Sequence, residues 1–186
     1  TQAIHKNEGV TGYKNSQESV ASLREKLGNY KNAALVLTGQ YSSEEYEALL
    51  GFWKSKFGGD NVFHWTNNEE KFGEFDGLLV RGDKNPNTKG LIQAFEKAGV
   101  TAKKDFGDFS SFDLVVVAGP ENQWVYDDIT SKAQAFAQSN KVVWFSACHV
   151  EAAEQAGGHF HFVPTKTFVE KSGTFVNYAG IEQTFE

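Results

Sequence analysis

The 186-residue sequence contains no methionine, one cysteine and three prolines. The single cysteine, Cys148, excludes an internal disulfide, and it excludes an iron–sulfur cluster or structural zinc held by several cysteines of this chain. No run approaches the roughly eighteen apolar residues that span a bilayer, so no direct membrane insertion is predicted. Because the chain opens on a polar segment without an initiator methionine, we expect it to be a piece of a longer protein.

The chain also lacks any block of lysine or arginine, and its net charge is −6 at pH 7. Nucleic acids and anionic membranes are therefore not expected as partners. What is present is a globular composition, with 40% hydrophobic residues, sixteen Phe and four Trp. At this length, such a composition predicts one domain with a large aromatic core.

Short apolar runs alternate with amphipathic helical patterns along most of the chain. Runs that are apolar throughout and too short for helices indicate buried parallel strands, so the alternation predicts an α/β fold. We expect a Rossmann-like or flavodoxin-like parallel sheet flanked by helices. The predicted strands are residues 33–38, 61–65, 76–80, 112–118 and 141–146. The predicted helices are residues 17–27, 88–99, 126–138 and 150–155, together with one that begins at a capping box at 42–45 and ends at Gly58.

The two ends of the chain depart from this alternation. Residues 1–16 are polar and rich in Gly and Asn, and we predict a polar N-terminal arm there. Residues 17–186 are predicted to form the single α/β domain. Residues 160–164 and 165–183 no longer follow the strand–helix period, which predicts a β-hairpin-rich C-terminal segment instead of another βα unit.

Ligands of such a fold bind at the carboxyl ends of its strands. Four loops follow predicted strands, at residues 38–41, 81–87, 119–122 and 147–149. None of them matches the glycine-rich dinucleotide fingerprint or the P-loop, so no standard dinucleotide or nucleoside-triphosphate site is predicted. Backbone N–H groups in such loops can cradle an anion, and the alternative is ordinary turn chemistry.

Cys148 and His149 follow a predicted central strand and precede a predicted helix. A helix N-terminus stabilises a thiolate, and the placement resembles the nucleophile elbow of glutamine-amidotransferase-like enzymes. The glycine that follows this pair in those enzymes is Val150 here, and a structural cysteine is the alternative. His159 and His161 would share one face of a strand, but no third ligand stands at a telling spacing, so no metal site is predicted.

The tail carries a spaced pattern of small and polar residues after Pro164. It resembles a motif of molybdopterin-dependent oxidoreductases and their cofactor-free relatives, which reads approximately P-x-x-x-x-x-E-x-x-G-T-x-x-N-x-E-G-R-x-Q. A loop at residues 82–86 resembles a G-x-(x)-N-P loop of the same family. Residues 43–46 and 59–61 resemble a segment of the G subunit of respiratory NADH:quinone oxidoreductase (complex I). The matching residues of the first two motifs are Gly82, Asn85, Pro86, Glu170, Gly173, Thr174, Asn177, Gly180 and Gln183.

The resemblance, which spans residues 33–183, implies a non-catalytic structural domain of the complex I G subunit. In molybdenum enzymes the two motifs hold the pterin phosphates and guanine, so their residues here would be a vestigial cofactor site. Ala179 stands where the family has Glu, and Ile181 stands where it has Arg. Because isoleucine makes no bidentate contact with phosphate, we expect that molybdopterin has been lost and that this chain holds no cofactor, metal or catalytic residue.

The resemblance also implies partners and a location. We expect the other subunits of the respiratory complex as partners, iron–sulfur clusters in a preceding part of the parent protein, and a place on the cytoplasmic side of a bacterial inner membrane, with the fragment itself soluble. Two alternatives belong to another class of protein. One is a Cys148-dependent glutamine-amidotransferase-like enzyme, and the other is a remnant molybdopterin-binding domain of an oxidoreductase.

Overall fold

The computed structural model describes residues 3–7, 10–15, 17–18, 20–21, 27, 29–66, 82–121, 123–151 and 159–186. The strands within these ranges are β1 (Ala3–Asn7), β2 (Val10–Lys14), β3 (Ala33–Leu37), β4 (Val62–His64), β5 (Leu114–Ala118), β6 (Val142–Ser146), β7 (Phe160–Pro164), β8 (Gly173–Val176) and β9 (Glu182–Phe185). The helices are α1 (Ser43–Phe57), α2 (Thr88–Ala98) and α3 (Ile129–Phe136), and Gln123–Val125 and Phe168–Glu170 are single turns of 3-10 helix.

A parallel sheet forms the centre of the molecule and confirms the predicted α/β class. The described strands give a seven-stranded sheet in the order β2-β1-β7-β6-β5-β3-β4, in which β7 to β4 are parallel. At one edge, β1 pairs antiparallel with β7, and β2 pairs antiparallel with β1. A separate antiparallel hairpin of β8 and β9 confirms the predicted hairpin in the tail.

Both faces of the parallel strands are buried because alternate side chains enter two separate apolar clusters. In β3, Val36 belongs to one cluster and Leu37 to the other. Helix α3 covers the first cluster through residues such as Phe136, while α1 and α2 cover the second through Leu50 and Leu91. The helices therefore lie on both faces of the sheet, as the apolar strand sequences predict.

Helix α1 begins and ends where its sequence predicts. Glu45 donates its backbone N–H to Ser42 Oγ at 3.3 Å, and its carboxylate accepts the Ser42 backbone N–H at 2.8 Å. This reciprocal pair is the predicted capping box. Gly58 ends the helix in the left-handed region, with φ of 79°. No described helix is long and apolar enough to cross a membrane.

Residues 160–164 depart from their prediction. They form β7, which pairs in parallel with β6 and occupies a central position in the sheet, so the prediction of hairpin material is wrong for this segment. The alternation of His161 with Phe160 and Phe162 is typical of a strand exposed on one face. All three side chains are nevertheless buried.

Other predicted elements are shorter, or lie in parts that the structure does not describe. The helix predicted over 126–138 is confined to α3, and a 3-10 helix at 123–125 and a turn at 127–128 precede it. Within the predicted arm of residues 1–16, β1 and β2 add two strands to the sheet. The strand predicted at 76–80 lies outside the described residues, as do most of the helices predicted over 17–27 and 150–155.

Candidate functional site

The loops predicted to carry chemistry meet at the carboxyl ends of β3 and β5. The chain leaves β3 for β4 on one side, and β5 lies on the other side of β3, so the strand order reverses between them. Parallel sheets bind ligands in the crevice at such a point. Thr38 ties the two loops together, because its backbone N–H and its hydroxyl both donate to Ala118 O, at 3.2 and 2.9 Å.

Gly119 permits this close approach of the two loops. Its φ of 106° favours glycine, and a Cβ at this position would lie 1.9 Å from Thr38 Oγ1. The next peptide bond, to Pro120, is cis. Ser146, at the end of β6, donates its hydroxyl to Pro120 O at 2.6 Å. A third strand end is thereby joined to the first two.

A cleft of about 990 Å³ opens at this edge of the sheet. Loops after β3, β5, β6 and β7 contribute to its walls, together with the loop before α2 and the tail hairpin. Its lining is mainly apolar and aromatic, with a few polar side chains among them. The lining residues are Gln40, Lys84, Pro86, Glu121, Trp124, Ile129, Ala147, Cys148, Thr167, Phe168 and Phe175.

A three-residue charge cluster lies at the Glu121 wall of the cleft. Lys171 Nζ lies 3.0 and 2.8 Å from the two carboxylate oxygens of Glu45 and 3.6 Å from Glu121 Oε1. The side chains of Lys171 and Glu121 are only 11% and 14% exposed. Burial raises the pKa of Glu121 to about 7, because the attraction of Lys171 is smaller than the desolvation penalty and Glu45 adds repulsion.

The loop motif predicted as a vestigial site, at residues 82–86, lies only partly at the cleft. Of its three residues, Pro86 lines the cleft. Asn85 accepts a hydrogen bond from the Tyr126 hydroxyl at 2.8 Å through Oδ1, and its Nδ2 donates to Asp83 Oδ1 at 2.9 Å. Gly82 is buried at the start of the loop. Asn85 therefore fixes the loop conformation through contacts inside the protein.

Three motif residues of the tail shape its turns. Glu170 accepts the backbone N–H and the hydroxyl of Thr167, both at 3.0 Å, and so caps a 3-10 turn. Asn177 Oδ1 accepts the backbone N–H of Ile181 at 3.0 Å within the hairpin turn. Gly180 has a φ of 82° in the same turn. Gln183 is exposed on β9, opposite Phe175.

The other two motif residues dock the hairpin against α1. Thr174 donates its backbone N–H to Glu44 Oε2 at 2.9 Å. A Cβ on Gly173 would lie 2.7 Å from Ser42 Cβ, so only glycine permits this contact distance. The motif residues are thus not gathered in one cavity, and Glu170, Asn177 and Gln183 are not among those that line the cleft.

Sequence reasoning did not single out Asn87, although this buried residue joins the tail to the domain. Its Oδ1 accepts the Val176 backbone N–H at 2.7 Å, and its Nδ2 donates to Tyr41 O at 2.8 Å. The loops at 81–87 and 119–122, which contain Asn87 and Glu121, were predicted to carry chemistry, but neither residue was singled out in them, and Lys171 was missed. An asparagine before a helix and charged residues in loops are typical of ordinary surface positions, so the sequence alone does not mark these three residues as part of a site.

Cys148 lies on the cleft wall and is exposed. Its backbone N–H donates to Ser146 Oγ at 3.2 Å. The ring of His149 lies edge-on to Phe162, with the ring centres 5.5 Å apart. The two neighbours therefore contact different surroundings. The helix predicted to follow them lies mostly outside the described residues.

Within the described ranges, no three His, Cys, Asp or Glu side chains are grouped so as to hold a metal ion. No protein-family model matches the chain, and no curated protein matches it.

Proposed function

We propose that this chain is a non-catalytic structural domain of the G subunit of a respiratory NADH:quinone oxidoreductase. The observation that carries the proposal is the use of the tail motif as internal structure. Thr174, Asn177 and Gly180 make or permit contacts that fold the hairpin and dock it on α1. Such contacts explain why a domain would keep the motif when the motif no longer holds a cofactor.

The cleft lining supports the same proposal because it does not fit a pterin dinucleotide. Phosphate groups need several cations or clusters of N–H donors, whereas the lining carries one cation, Lys84, and one carboxyl group, Glu121. Ile181, which replaces the family arginine, is 60% exposed and is not among the lining residues. No step of catalysis is therefore assigned to a pterin in this chain.

The proposal places the chain in a larger assembly. Its partners are the other subunits of the complex, on the cytoplasmic side of a bacterial inner membrane. Iron–sulfur clusters belong to another part of the parent protein, since the sequence here has one cysteine. The contribution of this domain is to position neighbouring polypeptides, while the whole complex transfers electrons from NADH to quinone.

An affinity tag placed at one terminus of the natural parent protein tests the proposal. We expect that mild solubilisation of membranes followed by purification on the tag yields NADH:quinone reductase activity together with iron–sulfur signals in electron paramagnetic resonance. An untagged strain carried through the same purification is the control. Purification of the tagged protein without NADH oxidation, or with stoichiometric molybdenum or a fluorescent pterin, would contradict the proposal.

A further inference from the structure

Aromatic side chains line part of the cleft, two of them exposed, and together they form its aromatic rim. Trp124 is 95% exposed and Phe168 is 58% exposed, and both line the cleft beside Phe175. Large aromatic groups that stay in water around a cavity are characteristic of interaction sites, because binding removes their apolar surface from water. The rim therefore offers flat rings on which a planar or apolar group can stack.

The wall behind the rim carries one carboxylate more than its lysine can neutralise. Glu45 holds Lys171 through both carboxylate oxygens at 3.0 and 2.8 Å, whereas Glu121 Oε1 lies 3.6 Å from Lys171 Nζ. When Glu121 is ionised, the three side chains together carry one net negative charge in a largely desolvated wall. Removing a charged carboxylate from water costs free energy, so a carboxyl group buried beside a cleft points to a function. A cation entering from the cleft would balance its charge.

We propose that the cleft binds an arginine side chain, flanked by apolar residues, in a segment of a partner polypeptide. Its guanidinium group would stack on Trp124 and approach the carboxyl group of Glu121, and its apolar neighbours would cover Phe168 and Phe175. Arginine fits better than lysine because guanidinium is planar, weakly hydrated and able to stack on an aromatic ring. Lys84 also lines the cleft.

A polypeptide segment fits this cleft better than a small cation. The volume of about 990 Å³ lies at the upper end of small-molecule sites, and the aromatic rim extends apolar contact beyond a single side chain. The inference rests on the proposed function, which supplies neighbouring polypeptides, and it adds the chemistry of the segment that this face recognises.

Cys148 provides a reporter for occupancy, because it is the one cysteine of the chain, is exposed and lines the cleft. The probe is the peptide acetyl-Leu-Arg-Leu-amide, and the matched control carries citrulline, which has the shape of arginine without its charge. Alkylation of Cys148 by N-ethylmaleimide at pH 8 is followed by mass spectrometry. We expect the arginine peptide to slow alkylation, and the citrulline peptide to bind about tenfold more weakly because it lacks a charge-assisted hydrogen bond.

Two variants test the residues that the proposal assigns. Glu121→Gln should remove the preference for arginine over citrulline, and Trp124→Ala should weaken the binding of both peptides. Tyr178→Ala is the control, since Tyr178 is 63% exposed but is not among the lining residues, and it should leave binding unchanged. Circular dichroism and thermal unfolding of each variant separate lost binding from lost folding.

Equal protection by the two peptides, or no protection by either at millimolar concentration, would overturn the inference. Protection by ethylguanidinium alone at the concentration that suffices for the peptide would also overturn it, since that result assigns a small-molecule site. The assay uses this chain without NADH or quinone. A negative result would therefore leave the proposed membership of the respiratory complex standing, and failure of the tag purification would not alter the peptide result.

Discussion

At the scale of single residues, Asn87 shows how one carboxamide joins segments that are distant in sequence. The side chain is completely buried, and it presents its oxygen to Val176 and its nitrogen to Tyr41. A carboxamide supplies an acceptor and a donor at once, which neither Ala nor ionised Asp does. The hairpin that follows Gly173 therefore depends on a residue in the loop before α2.

Substitution of Asn87→Ala should lower the free energy of unfolding by about 2–3 kcal/mol, because the Val176 N–H and the Tyr41 carbonyl lose their partner in a buried place. Urea denaturation followed by circular dichroism measures the change. Asn140→Ala is the matched control, since Asn140 is exposed and should change stability by less than about 0.5 kcal/mol. Similar small losses in both variants would contradict the role given to Asn87.

At the scale of elements, two glycines inside helices have opposite surroundings. In α1, Gly51 is exposed, and a Cβ there would meet no atom within 4 Å. In α2, Gly90 is buried, and its Cβ would lie 2.2 Å from Asn87 Oδ1 and 2.7 Å from Ser43 Oγ. The second glycine thus lets α2 approach the residues that hold the hairpin and α1.

We predict that Gly51→Ala raises the free energy of unfolding by about 0.5–1 kcal/mol, because alanine loses less backbone entropy in a helix. Gly90→Ala should lower it by about 1–3 kcal/mol, since the clash outweighs the same gain in helix propensity. Chemical denaturation of the two variants and of the unaltered protein measures these changes in the free energy of unfolding. A change of the same sign in both would show that propensity alone governs these positions.

Much of this element structure is predictable from local signals. The capping box at Ser42 and the stop at Gly58 place α1, and continuous apolar runs place β3, β5 and β6. The identity of β7 as a central strand was not predictable, because its alternating sequence suits an exposed strand equally well. Its place depends on which elements cover it, and that is decided by packing.

At the scale of the whole molecule, two buried groups make stability depend on pH in opposite directions. His64, buried beside Phe95, has its pKa lowered to about 4 by burial and by the charge of Lys104. The folded protein therefore keeps His64 neutral, and stability is lost as the pH falls from 6.5 towards 4. Glu121 instead favours the protonated form, so its contribution is present below 4.5 and is lost as the pH rises through 7.

As the pH rises from 4.5 to 8, the free energy of unfolding of Glu121→Gln should increase by about 1–3 kcal/mol relative to that of the unaltered protein, because glutamine does not ionise. His64→Gln should reduce the loss of stability between pH 6.5 and pH 4. Urea denaturation across this range measures both effects. Stability curves that stay parallel to that of the unaltered protein would contradict the assigned pKa shifts.

The sequence by itself determined the features that arise from near neighbours along the chain. The α/β class follows from apolar runs alternating with helical patterns, and the tail turn follows from Asn177 and Gly180, whose contacts span a few residues. These signals are readable because periodicity and turn chemistry act locally.

Only the tertiary structure decided where the cleft lies and what its wall contains. Strand order brings the ends of β3, β5 and β6 together, and the segment before β8 places Lys171 between Glu45 and Glu121. Glu45 and Lys171 are 126 positions apart, so no local pattern reports their contact. The physical reason is burial, because the charge balance and the raised pKa of Glu121 exist only when folding removes these three side chains from water together.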